Sequence, residues 1–306
     1  MTKLEKSLNI TVGISAYNEE ANIKQLIETV LTQSERNFKL EAVYVISGGS
    51  TDRTVAIAKS ICDNRVHVIE NKKRRGQVYA QNMIFARATS DVVIILEADT
   101  CPVSRDYLAL MIDPILRDSG VGLVQGNAVP LLGDSFVGRV IKAQIDAYRE
   151  TISLFYKSRQ HGLRVSGRGG RAFTKTVYEK LVWPQSVPED SYAFLWCRSH
   201  GIATKFQERA LCQFKGPQTV SDLIFERMKT AAGVKALKKY FIADELRRPL
   251  GSNMVMSAVF IIRHPLYAML YVAIKLNIIV NHHDIPFTDF WPVVASTKKL
   301  NHEYYE

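Results

Sequence analysis

The sequence has few cysteines for its 306 residues, and the four present, Cys62, Cys101, Cys197 and Cys212, follow no Cys-x-x-Cys spacing and no regular framework. This argues against a disulfide scaffold and a zinc site, and it reads as reduced thiols in a cytosol-facing protein. The opening MTKLEKSLNI has no apolar run long enough for a signal peptide, so export is not expected. No Walker A pattern and no Gly-x-Gly-x-x-Gly follows a strand-like run, which argues against a P-loop enzyme or a dinucleotide-dependent dehydrogenase. There is no zinc-finger or RNA-binding aromatic motif, and the pair His282-His283 has no accompanying ligand set. Nucleic acid is therefore not an expected partner. The net charge of +10 still favours anionic partners, such as nucleotide phosphates or an acidic membrane surface. With 47% hydrophobic and 23% charged residues the chain can bury a sizeable core, so disorder is not the default.

What is present is organised around Val92 to Pro102, VVIILEADTCP. Its apolar, mostly β-branched run predicts a central strand buried on both faces, and the run stops at two carboxylates on alternate positions, Glu97 and Asp99. If the extended geometry continues, both point to one side, where hard divalent ions take oxygen ligands together with substrate phosphates. The plainer alternative is that the acids solvate the turn before Pro102.

Before this strand, apolar runs alternate with helical patterns. Ile10 to Ala16, Leu40 to Ile46, Val66 to Ile69 and Val92 to Leu96 read as strands; the segments after Glu19-Glu20, from Thr54 to Ile61 and from Gln77 to Ala88 read as helices. The alternation predicts an α/β fold with a mostly parallel sheet and helices on both faces, and ligands in such sheets bind beyond the carboxyl ends of the strands. The Ala16-Tyr17-Asn18 turn, the turn from Ser47 to Asp52 and the Glu97/Asp99 pair all fall at those ends.

Four stretches, VGISAYNEE (Val12 to Glu20), ISGGSTDRT (Ile46 to Thr54), Gly76 to Asn82 and LEADT, resemble the nucleotide-binding half of the family 2 glycosyltransferases. VSGRGGRAF (Val165 to Phe173) resembles that family's glycine-rich acceptor-side strand, and Pro188-Glu189-Asp190 its Glu-Asp motif. The resemblance covers roughly positions 9 to 233. It implies the Rossmann-like GT-A fold and inverting transfer of a sugar from a nucleoside diphosphate sugar to an acceptor hydroxyl, on a lipid or a glycan, aided by Mg²⁺ or Mn²⁺. It implies Asp190 as the catalytic base and Asp99 as the metal ligand. The implied donor contacts are Ala16, Tyr17, Asn18 and Glu19, then Ser47, Gly49 and Asp52, then Gly76 and Asn82, and Glu97. Ser47-Gly48-Gly49-Ser50 stands where many members have Asp-Asp-Gly-Ser, so an acidic contact to the base or ribose is missing. Glu97 replaces the usual first aspartate. Glu226-Arg227-Met228-Lys229-Thr230 stands where processive synthases have Gln-x-x-Arg-Trp, which weakens a processive reading. Arg75, beside Gly76-Gln77, is a candidate for a missing phosphate cation; Arg168 and Arg171 are further candidates, ranked below the carboxylates.

Asp190 also has a purely structural reading as the N-cap of a helix beginning near Tyr192. Glu189 is expected to matter less, because neighbouring side chains in extended chain point to opposite sides. After Gly233 the character changes: Lys235, Lys238, Lys239, Arg247 and Arg248 precede two apolar runs, Met254 to Ile262 and Leu266 to Ile274. Each is shorter than the about 20 residues a spanning helix needs. The expectation is a domain over 9–233 and a helical appendage over 234–306, lying against an anionic membrane surface on its cytoplasmic face, with Phe287, Phe290 and Trp291 as interfacial anchors or an active-site cover. A helical hairpin buried on the catalytic domain is the alternative. A non-catalytic nucleotide-sugar-binding or scaffold protein is the competing functional class.

Overall fold

The computed structural model describes residues 7–133, 135–158, 168–242, 246, 250–281, 286–288, 297–298 and 300. Eight strands form one sheet: β1 (Leu8–Ala16), β2 (Phe38–Ser47), β3 (Val66–Glu70), β4 (Val92–Glu97), β5 (Thr100–Pro102), β6 (Val121–Pro130), β7 (Arg171–Thr174) and β8 (Ala203–Phe214). Their order is β3-β2-β1-β4-β7-β6-β8-β5. The parallel block β3-β2-β1-β4 is the alternating βα region expected from sequence. Beyond it the sheet is mixed: β7 runs antiparallel to both β4 and β6, and β5 runs antiparallel to β8. The expected parallel arrangement thus holds for β1 to β4 and recurs between β6 and β8, while the sheet as a whole is mixed. The short β7 gives no period of its own from which its direction could be read.

The β4 run alternates between two cores, as a strand of period two must. Val92, Ile94 and Leu96 pack with α1 (Ile23–Leu31) and α4 (Tyr107–Arg117) on one face. Val93 and Ile95 pack on the other with α3 (Gly76–Phe85), α6 (Lys175–Tyr178) and α7 (Glu189–Ser199). α2 (Thr54–Lys59) covers the first core beside α1, through Ala58. The chain leaves the sheet's centre at Glu97 and rejoins it at the far edge at Thr100. Three residue steps span at most about 11 Å, so the sheet has to curl round to bring that edge back. The acid pair sits in this bend.

A third core joins α5 (Phe136–Ser158), α8 (Val220–Leu237), α9 (Leu250–Arg263) and α10 (Pro265–Asn281), through Ile141, Leu223, Phe260, Tyr271 and Ile274. α8 runs unbroken through positions 233 and 234, so the change of sequence character there is not a break in the secondary structure. No helix among the described residues is long and apolar enough to cross a membrane. Arg247, Arg248, His282, His283, Phe290, Trp291 and positions 165–167 of the glycine-rich stretch lie outside the described residues.

Candidate active site

The carboxyl ends of β1, β2 and β4, the start of α7, and α8 enclose a cavity of about 410 Å³, within the range of small-molecule sites. Glu97 and Asp99 both line it, together with Ala98 between them. The side chains share one cation, the Arg168 guanidinium, whose Nε lies 3.9 Å from Glu97 and whose Nη1 lies 3.7 Å from Asp99. Arg168 also donates to Glu226 of α8 at 3.0 Å and to the Lys215 carbonyl at 3.1 Å. Burial raises Glu97 to about 7, helped by the Asp99 charge, because one more negative charge in this bend is costly. Burial alone would lower Arg168, but Asp99, Glu226 and Glu97 reverse that and hold it above the ordinary arginine value. An oxygen donor pair at the end of a buried strand, already gathered round a cation, fits a hard divalent ion that completes its sphere with substrate phosphates. Among the described residues no third carboxylate, histidine or cysteine joins it as a ready-made metal cage.

Arg168 is held in place by close backbone packing. Gly126 of β6 faces Gly169, and a Cβ on Gly126 would lie 1.9 Å from the Gly169 oxygen. β6 slips its register against β8 at this point, and Tyr107 of α4 donates its hydroxyl to the Gly169 carbonyl at 2.6 Å. Only glycines allow the chain carrying Arg168 to lie this close to β6.

One wall of the cavity is built by the turn after β1. Ala16, Tyr17 and Glu19 line the cavity, with Gly48, Gly76 and Gln77 beside them. Asn18 takes the left-handed conformation at φ 53° and accepts from the Thr51 amide at 2.9 Å, tying the β1 turn to the β2 turn. The basic run Lys72-Lys73-Arg74-Arg75 between β3 and α3 contributes Arg74, whose guanidinium lies 4.5 Å from the centre of the Tyr17 ring. Arg75, the residue expected from sequence, instead lies over Tyr79.

Five residues expected as donor contacts lie outside the cavity lining. Asn18 is one. Ser47 is buried and bonds the Ser50 hydroxyl at 3.0 Å, and Gly49, at φ 90°, lets the β2 turn approach the backbone of Lys73 and Arg74. Asp52 receives the Thr54 amide at 3.0 Å and the Glu20 amide at 3.1 Å. Burial would raise its carboxyl, but the Thr54 hydroxyl and these amides keep it below its ordinary value. Asn82 is used entirely on the backbone of Trp183, donating at 2.9 Å and accepting at 3.1 Å. These side chains support the walls and do not face the space they enclose.

Another wall is formed by the start of α7, which begins one residue earlier than Asp190. Its N-cap is Pro188, with no side-chain cap, and the Asp190 carboxylate accepts from the Ser191 amide at 2.5 Å. Asp190 is therefore a first-turn residue and not the cap. Glu189 and Asp190 both line the cavity, contrary to the opposite-sides expectation, because helical neighbours diverge by about 100° and not 180°. Burial raises Glu189, against the opposing pull of Arg171, which lies 3.7 Å away and is itself 2% exposed. α8 adds Phe225, Glu226, Lys229 and Thr230. Thr297 and Lys298, far along the chain, also line the cavity; no periodicity or motif marks them in the sequence.

Comparison with known proteins follows the same lines. The family described as Glycosyl transferase family 2 matches residues 11–182. Poly-beta-1,6-N-acetyl-D-glucosamine synthase of Staphylococcus aureus is 26% identical over 229 residues, covering 73% of this chain and 54% of that protein. The Staphylococcus epidermidis enzyme of the same name is 23% identical over the same shares. The chain thus spans about half the length of the curated relatives it matches. Among solved structures, a mannosyltransferase from Pyrobaculum calidifontis in complex with GDP-Man and Mn²⁺ superposes with a TM-score of 0.59 at 17% identity, covering 91% of this chain and 77% of that one. Glucosyl-3-phosphoglycerate synthase from Mycobacterium tuberculosis, with Mn²⁺, UDP and phosphoglyceric acid, gives 0.55 at 18% identity, covering 79% and 80%. These likenesses show a shared GT-A fold.

Proposed function

For this chain, which belongs to glycosyl transferase family 2, we propose inverting transfer of a sugar from a nucleoside diphosphate sugar to an acceptor hydroxyl. The observation that carries this reading is one cavity lined by two acid pairs, Glu97 and Asp99 at the end of a buried strand and Glu189 and Asp190 in the first turn of α7. Asp99 and Glu97 would hold Mg²⁺ or Mn²⁺. Such an ion supplies Lewis-acid stabilisation of the charge that builds on the departing diphosphate. Tyr17 and the backbone from Ala16 to Glu19 receive the nucleoside, and Arg74 adds positive charge on that side. Asp190 takes the acceptor proton as the new bond from oxygen to the anomeric carbon forms and the bond to the diphosphate breaks; the diphosphate leaves with the bond pair. Its place in the first turn of α7 fixes its backbone and limits where the carboxylate can go. UDP- and GDP-sugars are the first donors to test, since the similar solved proteins hold UDP or GDP-Man with Mn²⁺.

The proposed setting is a membrane surface. α10 exposes Leu266, Met269, Leu276 and Val280, spaced three, four or seven apart so that they share a face, while its opposite side packs into the third core through Ala268, Tyr271 and Ile274; Ile262 near the end of α9 is exposed as well. Lys235, Lys238 and Lys239 at the end of α8 suit anionic headgroups. The acceptor is then a hydroxyl presented at that surface, on a lipid or a growing glycan.

The decisive experiment is calorimetric titration of UDP and GDP into the full chain with and without Mn²⁺, repeated on Asp99→Ala. Metal-dependent binding by the wild type, lost in a folded Asp99→Ala, is the expected result. Equal binding by both would remove Asp99 from the metal's ligands.

A further inference from the structure

The nucleotide wall contains a contact that the transfer reaction does not itself explain. Asn22 stands at the N-cap position of α1, where asparagine ordinarily caps the helix, yet its side chain makes no cap hydrogen bond. The carboxamide, on a residue only 1% exposed, is committed elsewhere. Its nitrogen donates to the Glu19 carboxylate at 2.8 Å and to the Lys298 carbonyl at 2.5 Å, and its oxygen accepts from the Leu300 amide at 3.2 Å. A single side chain thus grips the backbone of a segment 278 positions away on both sides of residue 299. Thr297 and Leu300 are buried where they dock. The segment delivers the Lys298 ammonium to the Glu19 carboxylate and to the Tyr17 carbonyl, the latter at 3.2 Å.

Glu19 makes this delivery consequential. It lines the cavity, yet it is only 3% exposed. An ionised carboxylate in such a place carries a large desolvation cost unless it is paired, and it repels any anionic ligand brought alongside. The proposed donor carries a diphosphate. On the donor-pocket reading above, we infer that Lys298 is a positioning residue for donor binding: the strap of Thr297, Lys298 and Leu300 neutralises Glu19 and completes the nucleotide wall. The two described acceptors of its ammonium, Glu19 and Tyr17, belong to the wall, so the strap acts as a fixed part of the site and not as a plug.

Three variants of the full chain test this by titration of UDP and GDP in the presence of Mn²⁺. Lys298→Met should weaken binding about tenfold or more, the usual size of a coupling between linked sites. Glu19→Gln with Lys298→Met should recover most of the loss, because neither charge is then present, and Lys298→Arg should stay close to wild type. Melting curves run on each protein confirm that it is folded. If Lys298→Met itself does not fold, recovery of folding and binding by the double variant still supports the charge-pairing role. Unchanged binding by Lys298→Met overturns it. Tighter binding overturns it in favour of a strap that occludes the site. A double variant as weak as the single one overturns neutralisation in favour of direct contact with the donor. A wild type that binds neither nucleotide overturns the donor-pocket reading itself, and Lys298's role with it, whereas binding by wild type and Lys298→Met alike overturns the role of Lys298 alone.

Discussion

Replacing Gly126 by alanine tests how the fold delivers Arg168 to the acid pair. The new Cβ would lie 1.9 Å from the Gly169 oxygen, where ordinary contact begins at 3.4 Å, so the two backbones must part by about 1.5 Å. Overpacking of this kind costs about 1–3 kcal/mol. The same movement carries the Gly169 oxygen away from the buried Tyr107 hydroxyl, and an unsatisfied buried group costs about 1–3 kcal/mol. The two are coupled through one carbonyl and do not simply add, so the combined loss is about 2–5 kcal/mol. For a chain of 306 residues that lowers Tm by about 3–8 °C. Arg168 adjoins Gly169, so its guanidinium moves off Glu97 and Asp99, and Mn²⁺-dependent nucleotide binding should weaken with the melting temperature. Circular dichroism melts and calorimetric titration read the two effects separately. An alanine variant that melts within about 2 °C of wild type and binds equally well would refute the idea that this glycine contact sets the site.

Asp190→Asn should retain nucleotide binding and lower transfer by about 10²–10⁴-fold, the range for a positioned general base; near-normal transfer would return Asp190 to a structural role in α7. The Arg65 side chain, bonding Asp63 at 2.8 Å, lowers that carboxyl to about 2. A depressed carboxyl contributes stability that is present above the unfolded value of 3.8 and is lost as pH falls through about 2. Asp63→Asn should therefore be less stable than wild type by about 1 kcal/mol at neutral pH, discounted for partial exposure, and urea midpoints of the two should converge between those values. Liposomes containing anionic lipid should pellet the full chain, and Leu266→Glu with Met269→Glu should release it. Indifference of the wild type to such liposomes would leave the apolar face of α9 and α10 without a membrane role.

How much of this was legible in the sequence depends on how local each signal is. The β4 run carries its burial in its own composition, and the step from Glu97 to Asp99 marks the strand's end, so both were readable from a few adjacent residues. The turns after β1 and β2 were readable as site loops for the same reason. Which of their side chains face the cavity was not, because Asn18, Ser47 and Asp52 bond across to chain 2 to 33 positions away. Asn82 looked like a polar helix position open to a ligand, yet its partner is the backbone at Trp183. Arg168 was ranked below the carboxylates; its central place comes from a glycine contact between β6 and the start of β7, elements whose pairing the sequence pattern does not announce. Lys298 had no local signal of any kind, since its role exists only through Glu19 and Asn22.

The grip of Asn22 on Leu300 also orders events in time. At a synthesis rate of about 5–20 residues per second, roughly 15–55 s separate the appearance of these two residues. Through that interval β1, β2 and their helices can pack, since their partners are near in sequence, while the Asn22 carboxamide and the Glu19 carboxylate remain open to water. Closing a loop of this length costs little more than closing a much shorter one, because the entropy grows only logarithmically with length. The delay is thus set by the ribosome and not by the search. The wall that Lys298 completes therefore closes only after all the elements that follow β1 up to α10 have been made.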